Sequence, residues 1–171
     1  MPNRMSFSRE DWLFLFQFDI ADPGEMPADI DQLVTTLMPF LDQTGVQSEE
    51  ANSIYIAVEE LLLNIATHGK AKEGEAEKEL VAKGEIDVSP ENLILRLSDN
   101  SPPFDPRQAP PPDLTSDPLE RSIGGLGIFI LFNLFTEFAY SYSEGYNTGV
   151  WTLKRQVAEK RSPSPQEKRS C

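Results

Sequence analysis

Three polar side chains, Glu60, Asn64 and His68, recur at intervals of four residues in a segment whose other positions are mostly apolar. Residues four apart share one face of a helix, so the spacing predicts a polar stripe along a largely buried helix. A carboxylate there can orient or deprotonate a nucleophile, and an amide oxygen is a hard ligand that suits Mg²⁺. The solvated flank of an amphipathic helix explains the same pattern. We assign His68 no catalytic role, because a histidine at a helix end more often interacts with the helix dipole.

Asp99 directly follows a strand pattern and opens the segment Asp-Asn-Ser-Pro-Pro-Phe-Asp-Pro at residues 99–106. A carboxylate at a strand end can accept a hydrogen bond from an exocyclic amine such as adenine N6. The same residue types are also ordinary turn formers. Asp99 is therefore a candidate for base recognition only in combination with other elements.

A glycine-rich segment, Gly-Gly-Leu-Gly-Ile at residues 124–128, leads into an apolar helix pattern. Glycines allow close backbone approach, and the unpaired N–H groups at a helix start suit an anion such as phosphate. Plain loop geometry is the alternative. The segment does not match the dinucleotide fingerprint, because no strand leads into it, or a Walker loop, because no Lys-Ser/Thr follows.

The composition limits the classes of function. The 171 residues and 39% hydrophobic content indicate one domain with a sizeable core. With 28 acidic against 15 basic residues, the net charge of −13 argues against direct nucleic-acid binding. The single cysteine, Cys171, excludes an intramolecular disulfide, and no apolar stretch approaches the roughly 20 residues that span a bilayer. We therefore expect a cytoplasmic protein without membrane association.

The first half of the chain predicts one strand and two helices. A strand over residues 12–20 places Trp12, Phe14, Phe16 and Phe18 on one face, and its second apolar face suggests a covered strand or pairing with another subunit. Apolar residues at helical spacing then predict a helix that ends at Gly45 and that Pro39 kinks or shortens. Ser48 is the expected N-cap of the long helix that carries Glu60 and runs to about Gly69.

The second half predicts two hairpins and one helix. The strands of the first hairpin lie at 80–88 and 93–97, the helix at 126–138, and the strands of the second hairpin at 138–142 and 150–153 with a turn at 144–147. Residues 70–79 are expected to form an exposed loop. Residues 101–122 contain seven prolines and are expected to form a functional loop such as a lid. We divide the chain into an extension (1–10), a domain (11–155) and a disordered tail (156–171).

The three chemistry-bearing segments, in this order and separation, together resemble the GHKL (histidine kinase-like) ATPase superfamily, the fold shared by gyrase, histidine kinases and MutL. The similarity covers roughly residues 14–154. The Glu-Glu-Leu-Leu opening at 59–62, the Pro-Pro-Phe-Asp-Pro run at 102–106 and the Gly-Gly-Leu-Gly-Ile segment look like the anti-sigma factor serine/threonine kinases of bacteria.

This resemblance implies an α+β fold, a two-layer α/β sandwich with a mixed, mostly antiparallel sheet and helices on one face (the Bergerat-type ATPase fold). It implies that Asn64 coordinates Mg²⁺, that Glu60 is the general base and that Asp99 recognises adenine, with the proline-rich segment as the ATP lid. The further positions implied in ATP binding are Ser101, Phe104, Gly124, Gly125, Leu126, Gly127, Ile128 and, more weakly, Thr152.

The same resemblance implies a homodimeric, Mg-ATP-dependent protein kinase that phosphorylates an anti-anti-sigma (STAS-domain) protein and otherwise sequesters a sigma factor. Two positions depart from the family pattern: Leu63 stands where a Thr is frequent, and Ser101 stands in place of a glycine. These departures motivate an alternative, an ATP-binding interaction module that holds a partner without phosphoryl transfer. A detached histidine-kinase catalytic domain is a third possibility.

Overall fold

The structure, a computed structural model of the chain, describes residues 3–69, 79–110 and 126–155. Its strands and helices follow one another as β1 (Arg4–Glu10), β2 (Leu13–Ile20), α1 (Met26–Gln43), α2 (Ser48–His68), β3 (Leu80–Val88), β4 (Asn92–Asp99), α3 (Leu126–Leu134), β5 (Glu137–Ser143) and β6 (Tyr146–Lys154). Short 3₁₀ turns lie at Pro23–Glu25 and Pro106–Gln108.

The strands form one six-stranded sheet in the order β1-β2-β3-β4-β6-β5. Each pairing between neighbours in the described part of the chain is antiparallel, so the sheet lacks the parallel pair that a mixed sheet would contain. The helices cover one face of this sheet. The α+β two-layer sandwich predicted from the sequence is confirmed.

The core lies between the sheet and the helices. Alternate residues of β2, namely Phe14, Phe16, Phe18 and Ile20, are buried, as period-two side chains on one face of a strand must be. α1 and α2 pack against each other and contact β2, β3 and β4, while α3 packs on α2. The aromatic rings of Phe132 and Phe135 on and just after α3 pack against Trp151 of β6.

The N-terminal residues differ from the expectation. Residues 4–10, assigned to an extension, form the edge strand β1, so β2 is an inner strand with β1 and β3 as neighbours. Trp12 does not belong to the buried face: it lies in the turn before β2 and is 53% exposed. The period-two pattern of apolar residues begins one step before β2, at Trp12, where the chain is still in the turn between β1 and β2.

The N-cap of α2 and the effect of Pro39 on α1 also differ from the expectation. Ser48 is the first residue of α2, and Gln47 is the N-cap, whose backbone N–H donates to the Glu50 carboxylate at 3.1 Å. Pro39 does not shorten α1, which continues to Gln43 and is followed by Gly45 at φ 69°.

The third helix is shorter than expected, because it ends at Leu134 and Phe138 belongs to β5. The backbone N–H of Thr136 donates to the Thr152 carbonyl at 2.8 Å, which takes the chain out of the helix and into the sheet. The centroid of the Phe138 ring then lies 4.1 Å from that of Trp151.

Both predicted hairpins are confirmed, β3–β4 and β5–β6. In the second, Glu144 and Gly145 have φ values of 53° and 83°, the two positive values of a tight type I′ turn. Residues 111–122 of the lid expected at 101–122, residues 70–78 of the expected loop, and the expected 156–171 tail lie outside the described residues.

Gly84 in β3 faces Phe16 of β2 across the strand pair. A Cβ atom at Gly84 would overlap the tip of the Phe16 ring, so the ring occupies the space that a side chain would take. Glycine weakens a strand interior, but here it makes room for a buried aromatic side chain.

We therefore expect Gly84→Ala to lower the free energy of unfolding by about 1–3 kcal/mol through overpacking. Urea denaturation followed by circular dichroism measures the change. Adding Phe16→Leu supplies the control, because the shorter side chain frees the space: the double variant should lose less than the sum of the two single variants. Strict additivity would contradict the proposed contact.

Candidate functional site

The long helix α2 carries the predicted polar stripe beside the face that packs against the core. Glu60 and Asn64 are half-buried, and His68, the last residue of the helix, is exposed. Neighbouring Leu61, Leu62 and Ile65 are buried and fix the rotation of the helix. Asn64 makes no side-chain hydrogen bond to any part of the chain that the structure describes, so its amide oxygen is available to an external partner.

The C-terminal end of α2 and the C-terminal end of β4 lie at the same edge of the domain. Gly69, which caps α2, lies against the side chain of Leu80 at the start of β3. Two residues further along β3, Ala82 pairs with Asp99, the last residue of β4. The sheet register therefore brings Asp99 to the end of the domain where the polar stripe of α2 ends.

The start of α3 touches Glu60. A Cβ atom at Gly127, the second residue of α3, would overlap the Glu60 carboxylate at Oε2. Any residue other than glycine would have to displace that carboxylate. The glycine thus allows the first described turn of α3 to approach a carboxylate on the neighbouring helix.

The pKa of the Glu60 carboxyl group is raised. Burial disfavours the charged form, and the neighbouring Glu59 carboxylate adds like-charge repulsion. A raised pKa brings the protonation equilibrium of a carboxylate closer to neutral pH, which is where a general base works best. Structural carboxylates also show such shifts. Here the residue that faces the Glu60 carboxylate is Gly127 of the glycine-rich segment.

Asp99 is buried at the end of β4, with 8% of its surface exposed. Its Oδ1 atom accepts hydrogen bonds from Asn147 Nδ2 at 3.1 Å, from the Ser101 backbone N–H at 2.9 Å and from the Ser101 hydroxyl. All three of these bonds end on Oδ1, so Oδ2 keeps acceptor capacity for an external donor.

Asn147 was not predicted as a site residue; the sequence analysis placed it in a turn. It is the second residue of β6, is 6% exposed and pairs with Asp99 across the strands. Its Oδ1 accepts from the Phe104 backbone N–H at 3.0 Å and from the Tyr140 hydroxyl at 2.7 Å. Burial raises the pKa of Tyr140, which keeps that hydroxyl protonated. Asparagine is depleted in strands, and that depletion was the available signal.

Other predicted positions are less central. Thr152 lies five residues beyond Asn147 on β6, about 17 Å along the strand at about 3.4 Å per residue, and the odd spacing puts it on the opposite sheet face. The structure does not bring it together with Asp99. Phe104 and Leu126 are exposed, whereas Ile128 points into the core, so any contact of Ile128 with a ligand would come from its backbone.

Two predicted glycines, Gly124 and Gly125, lie outside the described residues, so only Gly127 of the glycine-rich segment can be located. Among the described residues, no group of three or more His, Cys, Asp or Glu side chains could hold a metal ion. None of the described helices is long and apolar enough to cross a membrane.

A concavity of about 450 Å³ lies away from this site, on the sheet face that the helices do not cover. Its polar lining includes Gln17, Lys83, Glu85 and Arg96. It is an open groove between strands, and we assign it no ligand.

Comparison with known proteins gives the site its context. The family model of the histidine kinase-like ATPase domain matches residues 24–152. This chain belongs to the histidine kinase-like ATPase family. The match includes Glu60, Asn64, Asp99 and Gly127, and the superfamily resemblance drawn from the three segments is confirmed.

Serine-protein kinases are among the relatives of this ATPase domain. The serine-protein kinase RsbW of Listeria monocytogenes is 30% identical over 130 residues, covering 72% of this chain and 80% of the relative. RsbW of Listeria innocua is 29% identical over 130 residues, with the same coverage. Within the family, the chain is therefore similar to protein kinases that act on serine.

The raised pKa of Glu60 has a consequence for stability. Above the raised pKa the carboxylate is ionised in both the folded and the unfolded chain, and only the folded chain bears the cost of burial and of the Glu59 charge. Below the unfolded pKa of about 4.3 both forms are protonated and the cost disappears. We expect Glu60→Gln to raise the melting temperature at neutral pH, with the gain shrinking as the pH falls through the raised pKa.

Thermal unfolding of the wild type and the variant across pH, followed by circular dichroism, tests this expectation. Glu91→Gln is the matched control, because Glu91 is an exposed carboxylate in the β3–β4 turn. It should leave the melting temperature nearly unchanged. A Glu60→Gln protein that is less stable than the wild type at neutral pH would show that the carboxylate stabilises the fold.

Proposed function

We propose that this protein binds Mg-ATP and transfers the γ-phosphoryl group to a serine or threonine of a small anti-anti-sigma protein of the STAS type. The observation that carries the proposal is the contact between Glu60 and Gly127. It puts a carboxylate of raised pKa beside Gly127 of the glycine-rich segment 124–128. Glycines allow a phosphate to approach the backbone closely, and on this proposal the base for a hydroxyl group and the anion site are neighbours, as phosphoryl transfer requires.

Asn64 supports the metal part of the proposal. It lies one turn after Glu60 on the same face of α2, and its amide is free of hydrogen bonds to the described part of the chain. Mg²⁺ is commonly held by few protein oxygens together with substrate phosphates, which fits one amide without a carboxylate cluster. When bound, Mg²⁺ would neutralise charge on the phosphates, and Asn64 would hold it.

Asp99 supports the choice of adenine. A buried carboxylate with one oxygen occupied by internal donors and a second oxygen with spare capacity suits a single exocyclic amine. The 6-amino group of adenine is such a donor, whereas guanine presents a carbonyl oxygen at that position. We propose that Asp99 accepts from adenine and that the residues after it begin the lid.

The partners follow from the family resemblance and from charge. We propose that the protein sequesters a sigma factor when it is not engaged with the anti-anti-sigma protein. The net charge of −13 favours partner surfaces that are basic or apolar. We also propose a homodimer; the groove on the open sheet face, with Lys83, Arg96 and Glu85, offers charges of both signs for a self-complementary contact.

The second candidate function is ATP binding without transfer. Two observations favour it: Leu63, half-buried against the core, supplies no hydroxyl beside Asn64, and the Ser101 hydroxyl binds Asp99 inside the protein. On this alternative the protein would hold its partner in an ATP-dependent complex.

A transfer assay with labelled ATP, Mg²⁺ and a purified anti-anti-sigma protein of the STAS type from the same organism tests the proposal. We expect Asn64→Ala to abolish Mg-ATP binding. Glu60→Gln should retain binding and lower the transfer rate by about 10²–10⁴-fold, the usual contribution of a general base. Binding is measured by calorimetry and transfer by incorporation of label.

The control variant is His68→Gln, which changes the exposed end of the same polar stripe and should leave both readouts near wild type. Binding of ATP by the wild type without any transfer to the partner would exclude the kinase and leave the second candidate. An acid-labile phosphoprotein would instead indicate phosphohistidine.

The electrostatic coupling between Glu59 and Glu60 gives a further prediction. A base is active when deprotonated, so the transfer rate should fall as the pH drops through the raised pKa of Glu60. Glu59→Gln removes the like charge and lowers that pKa, although the contribution of burial is retained. We expect the acid limb of the pH–rate profile to move to lower pH.

The pH–rate profile of Glu91→Gln should overlay that of the wild type, because Glu91 is exposed and lies in the β3–β4 turn, distant in sequence from Glu60. An acid limb that moves upward in Glu59→Gln, or does not move, would mean that Glu60 is not the group that titrates.

A further inference from the structure

We infer that Asn147 is the positioning residue for adenine recognition: it holds Asp99 and the segment that follows it in one arrangement and thereby determines the preference for adenine over guanine. The inference rests on the proposed function, because it assumes that Asp99 accepts from the base.

The orientation of the Asn147 amide is determined by its partners. Its Oδ1 faces the Phe104 backbone N–H, which can only donate, and its Nδ2 faces the Pro102 carbonyl, which can only accept, at 3.0 Å and 3.2 Å. Exchange of the two amide atoms would place donor against donor and acceptor against acceptor. The side chain therefore has one orientation compatible with its surroundings.

The same amide reaches the carboxylate and the chain beyond it. Nδ2 lies 3.1 Å from Asp99 Oδ1, from the Ser101 carbonyl and from the Ser101 hydroxyl. Tyr140 of β5 donates to Oδ1 from the other side at 2.7 Å. The amide thus ties β4, β5 and β6 to residues 101–104, the beginning of the proline-rich segment.

No similar side chain reproduces this set of bonds. Aspartate has the same shape but no N–H donors, and it would place a second negative charge about 3 Å from Asp99. Alanine would leave the Phe104 N–H without its side-chain partner and would remove one of the three donors to Asp99 Oδ1. In either case only Ser101 would still hold Asp99, and the link from Asp99 to β5 and to the Phe104 backbone would be lost.

The neighbouring residue supplies a matched control. Thr148 also lies on β6, and its hydroxyl bonds to the Ser98 hydroxyl of β4 at 2.8 Å. This pair joins the same two strands one step along, on the opposite sheet face from Asp99 and Asn147. Thr148→Ala removes a side-chain bond between β4 and β6 without touching Asp99.

The experiment measures the affinities of the wild type, Asn147→Ala, Asn147→Asp and Thr148→Ala for Mg-ATP and Mg-GTP by calorimetry. We expect the wild type and Thr148→Ala to prefer ATP to a similar degree. In both Asn147 variants the preference should fall by about ten- to a hundredfold, mainly through weaker ATP binding, because the phosphate contacts are unchanged. A general loss of protein stability would weaken the binding of both nucleotides to a similar degree.

A second measurement uses the wild-type protein, in case the variants do not fold. The side-chain ¹⁵NH₂ signals of Asn147 in an NMR spectrum should shift when Mg-ADP is added and stay in place when Mg²⁺ and inorganic pyrophosphate are added. Side-chain signals that do not shift at saturating Mg-ADP would overturn the role of Asn147. A folded Asn147→Ala protein that keeps the wild-type preference for ATP over GTP would overturn it too. Failure of the wild type to bind ATP at all would instead overturn the proposed function, and the inference with it.

Discussion

The contact between Glu60 and the Cα atom of Gly127 is the constraint on which the site depends. A side chain at position 127 would have to displace the Glu60 carboxylate from the place it occupies against α3. The buried residues of α2, together with Ile128 and Leu131 of α3, fix the two helices relative to the core and so enforce this contact. The result is a carboxylate whose charged form is disfavoured, directly beside the backbone of a glycine. A base of raised pKa next to glycine backbone suits a site that binds an anion and removes a proton.

The sheet provides the other half of the site by different means. Asp99 and Asn147 lie opposite each other because the register of β4 and β6 pairs them, and that register is set by buried residues such as Leu93, Leu95 and Trp151 further along the strands. A shift of one residue would turn every one of these side chains to the wrong face. Packing of apolar residues therefore places a polar pair with a precision that the pair could not achieve alone. The positions of carboxylate and amide are a consequence of the core, as is the position of Glu60.

The sequence predicted those parts of the structure that local patterns encode. Helical spacing located Glu60 and Asn64 on one face of α2. The alternation of apolar residues located the strand pair β3–β4 that leads to Asp99. Contacts that form only in the folded chain were not accessible. Asn147 acquires its role from Phe104 and Tyr140, which are distant in sequence or on another strand, and the nature of its neighbours is not visible in a single chain. Where local patterns ran past a structural boundary, as at Trp12 and Phe138, the prediction was wrong, because hydrogen bonds to neighbouring strands decide where an element ends.

Ser101 shows how a departure from a family pattern can be absorbed. A serine in place of glycine could have obstructed a ligand, yet its hydroxyl turns towards Asp99 and also lies 3.1 Å from the Asn147 amide. The added side chain therefore increases the number of internal donors on Asp99 Oδ1 and leaves Oδ2 for the base. Such a carboxylate is already held in position before the nucleotide binds, which lowers the entropic cost of binding. The departure at Leu63 has no comparable compensation among the described contacts, since an apolar side chain cannot replace a hydroxyl. We therefore expect the departure at Leu63 to affect the rate of phosphoryl transfer more than it affects the binding of ATP.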